Sequence, residues 1–139
     1  MSSYNYFDIL PFNPLVEPIP EIKIPFDWDN VAQELHAQCP NSEIRISWTD
    51  GSLGIYLYIS VEGHGPWVVA QLSENYSVFS VSLWPKRLAK ELIRWYRAYV
   101  PLSYPLFISY PDTGFVAELP PDPLPEEIEG IYPFPVADE

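Results

Sequence analysis

Residues 43–83 read EIRISWTDGSLGIYLYISVEGHGPWVVAQLSENYSVFSVSL. Apolar and polar residues alternate through much of this stretch, the period of a strand with one face buried. Ile44, Ile46 and Trp48 fall on one side of a first strand over 43–48. Asp50-Gly51 then supplies the strongest short hairpin signal. A second strand over 53–61 places Leu53, Ile55, Leu57, Ile59 and Val61 on one face, and Gly54, Tyr56, Tyr58 and Ser60 on the other. Glu62-Gly63-His64-Gly65-Pro66 reads as a loop. Residues 67–72 are apolar on both faces, which suits a central strand. Phe79, Val81 and Leu83 mark the inner face of a fourth strand over 76–83. The short connections predict an antiparallel meander.

A helix precedes the meander. Asp27 is suited to cap its free amides, and Phe26 and Val31 have the spacing of a hydrophobic staple. Trp28, Val31, Ala32, Leu35 and Cys39 share one helical face, and Pro40 stops the run. A second helix follows, from Pro85 to just before Pro101, with Leu88, Leu92, Trp95 or Tyr96, and Tyr99 as its buried stripe. It holds five of the seven basic residues of the chain. Lys86, Lys90, Arg94 and Arg97 share the face opposite that stripe. Leu106–Tyr110 and Phe115–Leu119 form a hairpin around Pro111-Asp112-Thr113-Gly114.

Both ends are rich in proline. Residues 1–26 combine five prolines with many bulky apolar residues, so they read as an extended arm laid against the domain. Within it, 21–24 is expected to add an edge strand. Residues 120–139 form an acidic proline-rich tail. The 139 residues fit one domain, 1–139, with its core over 27–119. The expected fold is α+β: helix, four-strand antiparallel meander, helix and C-terminal β-hairpin, with proline-rich arms at both ends packed on the domain.

The formal net charge is −12. Nucleic-acid backbones and anionic lipid surfaces are therefore disfavoured partners, and a basic protein is the expected one. Net acidity is equally what keeps an ordinary protein soluble. No basic segment followed by an apolar run opens the chain, and no apolar run approaches about eighteen residues. A cytoplasmic location is expected on that basis.

The motifs do not ask for catalysis. Cys39 is the single cysteine, and only His36 and His64 are present, so neither a disulfide nor a multi-histidine metal site can form within the chain. No cofactor or metal is expected. Cys39 lies three residues after His36, and such a pair can generate a thiolate nucleophile. Cys39 also continues the apolar stripe, where a cysteine is inert packing. Asp50, Glu62 and Asp112 sit at turns, and turn formation explains Asp50 and Asp112. There is no phosphate loop and no nucleophile elbow.

The expected function is a small acidic, non-enzymatic protein-binding domain, of which an immunity-type inhibitor of a basic toxin or nuclease is one form. Its candidate partner-binding residues are Tyr56, Tyr58, Trp67, His64, Glu62 and Asp50. The basic helix face is either a second contact surface or the partner of the acidic tail. Two alternatives stay open: a small-molecule or catalytic pocket near His64 and Trp67, and a structural subunit of a larger assembly. The oligomeric state stays open as well.

Overall fold

The computed structural model describes residues 6–20, 22–49, 51–61, 64–74, 77–82, 86–110, 114–123 and 126–128. Seven strands and two helices follow in the order β1 (Tyr6–Leu10), α1 (Trp28–Gln38), β2 (Glu43–Thr49), β3 (Ser52–Val61), β4 (His64–Ser73), β5 (Val78–Ser82), α2 (Lys86–Tyr99), β6 (Leu106–Tyr110) and β7 (Phe115–Leu119). A single helical turn occupies 126–128. The strands form one antiparallel sheet in the order β2-β3-β4-β5-β1-β6-β7.

This order overturns the expected arrangement of a four-strand meander and a separate hairpin. The supposed arm supplies β1, which pairs with β5 on one side and β6 on the other. Both neighbours run antiparallel to β1, so β5 and β6 run parallel to each other. Parallel strands cannot be joined by a tight turn. The chain therefore crosses from β5 to β6 through α2, leaving a slot that its own N-terminal segment fills.

Directly opposed residues of an antiparallel sheet share a face. One register row crosses all seven strands: Ile46, Ile55, Leu72, Phe79, Ile9, Ile108 and Ala117. A second row joins Ile44, Leu57, Ala70, Val81 and Phe7, and the Phe7 ring meets Tyr110 edge-on at 5.8 Å. Both helices pack on this face, α1 over β2 and β3 and α2 over β5. Val31 and Leu35 of α1 join Ala89, Leu92, Ile93, Tyr96 and the following Val100 in one core.

Local signals explain the helix ends. The Asp27 carboxylate accepts the Asn30 amide at 3.2 Å, and the Cys39 amide donates to the Leu35 carbonyl at 2.9 Å. Gly51 and Gly114 hold positive φ at the two hairpin turns.

The arms also depart from expectation. No strand forms over 22–24. Ile24 is buried, and this extended segment is held by Ser77, whose hydroxyl accepts the Ile24 amide at 2.8 Å and donates to the Ile22 carbonyl at 3.5 Å. Residues 15–20 are exposed rather than docked. At the other end Pro123 and Ile128 are buried, and the rest of the tail lies outside the described residues. The loop expected over 62–66 is shorter, because β4 already begins at His64, which pairs with Val61.

Candidate functional site

The face of the sheet away from the helices is mixed, with a largely polar centre. Its central register row is Arg45, Tyr56, Gln71, Ser80, Asp8, Ser109 and Val116. The Ser80 hydroxyl donates to Asp8 at 2.7 Å, and the Tyr6 hydroxyl donates to the Val68 carbonyl at 3.0 Å. Toward β2 the face carries a charged cluster. Arg45 Nε and a terminal nitrogen donate to the two oxygens of Glu43 at 2.8 and 3.3 Å, and the guanidinium lies 4.4 Å from the Tyr58 ring centre. The hydrogen bonds and charge of Arg45 hold the Glu43 carboxyl below its ordinary range.

The described candidate binding residues fall on different parts of the sheet. Tyr56 and Tyr58 lie half-buried on this face. His64 and Trp67 are strand residues of β4, paired with Val61 and Ile59. Glu62 and Asp50 lie outside the described residues.

The basic face of α2 is also redrawn. Arg97 is 3% exposed, and one terminal nitrogen donates to the carbonyls of Val100, Pro101 and Tyr104 at 3.1–3.2 Å. It holds the turn that follows α2 against the helix. Burial lowers its pKa. Arg94 approaches Asp122 of the tail at 3.6 Å. Lys86 and Lys90 are half-buried and engaged. This helix is therefore occupied largely with its own chain.

Cys39 is buried at the end of α1. Burial, and secondarily Glu91, pushes its thiol up to about 11. His36 is exposed on the helix. The thiol is thus held protonated at neutral pH, the reverse of what a nucleophile needs. Among the described residues, no group of three or more His, Cys, Asp and Glu is placed to hold a metal ion. No helix among them is long and apolar enough to cross a membrane.

The most exposed apolar feature of the sheet is its β2 edge, where the residues that alternation places on one side are only partly covered. Trp48 is 68% exposed and Ile46 is 44% exposed. β2 pairs with β3 over seven consecutive positions without a register shift, and on its other side it has no strand neighbour among the described residues. Edge strands are normally blunted by proline, lysine or a bulge. β2 has no proline or lysine, and its arginine is taken up by Glu43 and Tyr58.

A concavity of about 240 Å³ lies elsewhere, where the chain enters α1 and leaves α2. Ile24, Pro25, Phe26 and Asp27 form one side, and Tyr99, Pro101 and Tyr104 the other. It adjoins an aromatic cluster in which Phe79 and Tyr96 stack at 4.4 Å and Trp95 and Tyr99 at 5.1 Å. The Tyr99 hydroxyl donates to Asn30 at 2.7 Å, tying α2 to α1.

Comparisons with protein families, curated proteins and solved structures found no match to this chain.

Proposed function

We propose that this chain is a non-enzymatic protein-binding domain that receives a basic partner along β2. The observation that supports this reading is the exposed pair Ile46 and Trp48 on an edge strand that carries no proline or lysine and has no strand neighbour on its outer side among the described residues. Such an edge offers a partner strand a row of backbone donors and acceptors, with alternate side chains setting specificity. Tryptophan is a frequent anchor at protein interfaces. The net charge of −12 favours a basic partner and speeds its approach. An immunity-type inhibitor, acting in the cytoplasm on a basic toxin or nuclease, is the form that fits this size and charge.

The test uses three baits on one cell lysate from the source: wild type, Trp48→Glu and Ile46→Lys. A basic protein retained by the wild type, released by salt and lost from both variants supports the reading. Retention indifferent to both variants, or no retained protein, sinks it.

A further inference from the structure

The cleft between the start of α1 and the end of α2 has a chemistry of its own. Its walls are two prolines, an isoleucine and the rings of Phe26, Tyr99 and Tyr104, and Asp27 is its carboxylate. The Phe26 and Tyr99 rings are nearly parallel, at 19°, with centres 6.3 Å apart.

Several features make the site negative. One Asp27 oxygen caps α1 by accepting the Asn30 amide, so the positive end of that helix already has its anion. The C-terminal, negative end of α2 meets the cleft at Tyr99 and Pro101. The Tyr99 phenol is pushed up first by burial and then by the charges of Asp27 and Glu34. Arg97, which bonds the Pro101 and Tyr104 carbonyls beside the cleft, has its charge directed into three backbone carbonyls.

We propose that this cleft binds a guanidinium or alkylammonium group, with its charge toward Asp27 and its aliphatic stem along the proline and aromatic walls. Aromatic faces attract such cations, and the apolar stems of arginine and lysine pack well on apolar surface. The lining offers an anion no cationic side chain. The inference stands apart from the β2 edge, because none of the cleft residues belongs to β2.

The test is an NMR titration of the full chain with N-acetyl-arginine amide, agmatine and the neutral N-acetyl-citrulline amide. The two cations are expected to give saturable shifts at the amides of Ile24, Phe26, Asp27, Tyr99 and Tyr104, and the citrulline analogue none. Asp27→Asn keeps a good helix cap and removes only the charge. It is expected to weaken cation binding by up to about five-fold, the upper end for an exposed ion pair. Tighter binding of the arginine amide than of agmatine assigns the group to a protein side chain, and the reverse assigns it to a free cation. Equal binding of the citrulline analogue, unchanged affinity in Asp27→Asn, or no saturable shift with either cation overturns the proposal. The β2 variants leave this titration unchanged, so the two readings fail separately.

Discussion

The Ser80 hydroxyl donates to the Asp8 carboxylate at 2.7 Å, joining residues 72 positions apart across the β5–β1 ladder. That contact marks the seam where the N-terminal segment enters the sheet. Beside it, Ile9 is fully buried between Phe79 and Ile108. Ile9→Ala is expected to cost about 2–5 kcal/mol in urea unfolding, the usual range for a core truncation. Val16→Ser, on the exposed part of the same segment, is expected to change stability by less than about 0.5 kcal/mol. Similar costs for both would contradict a β1 integral to the core.

Arg97 and Arg87 test the division of α2. Both are cations on one helix, but Arg97 is buried with three carbonyl acceptors and Arg87 is exposed. Arg97→Met is expected to destabilise by about 1.5–3 kcal/mol, the range for hydrogen bonds to a charged group. Arg87→Met is expected to fall within about 0.5 kcal/mol of wild type. The check is a pair of denaturation midpoints at constant slope.

Cys39 sets a pH dependence. Its thiol ionises near 9.0 when unperturbed and at about 11 in the fold. Below the lower value both states hold the proton, and the contribution is fully present. Between the two values the unfolded chain releases its proton while the folded chain keeps it, so stability falls as pH rises. The loss relative to Cys39→Ala is expected to be on the order of 2 kcal/mol. Parallel stability curves for the two proteins from pH 8 to about 11 would refute it.

The Tyr96 hydroxyl is buried and has no hydrogen-bond partner among the described residues. Burial also drives its phenol pKa upward. An unpaired buried polar group costs about 1–3 kcal/mol. Tyr96→Phe keeps the ring that stacks on Phe79 and is expected to raise the unfolding midpoint or leave it unchanged. A clear fall would mean that the hydroxyl has a partner.

Trp48 is expected to matter for binding and not for folding. With 68% of its surface exposed, Trp48→Glu should shift stability by less than about 0.5 kcal/mol. A large loss would place Trp48 in the core after all.

What could be read locally was readable in the sequence. Asp27 before an apolar helical face, Asp50-Gly51 between alternating runs, and Pro101 after α2 each act within a few residues. The pattern of Phe7 and Ile9 on one side of Asp8 was also present. The dense prolines that follow, from Pro11 on, made it read as part of an arm. Ile46 and Trp48 show the opposite error, because alternation tells which residues share a face and not whether anything covers that face. Helical spacing groups Arg97 with Lys86, Lys90 and Arg94, but the carbonyls of Val100, Pro101 and Tyr104 accept its hydrogen bonds within the fold.

The sequence by itself determined both helices and six of the seven strands, the acidity and the lone cysteine, since these rest on composition and short-range chemistry. Only the tertiary structure decided that β1 lies between β5 and β6, that β2 stands at the edge of the sheet among the described residues, and that the ends of α1 and α2 enclose a cleft. Each depends on pairings between residues distant in the chain. A strand's periodicity specifies a face to bury but does not name the neighbour that will bury it.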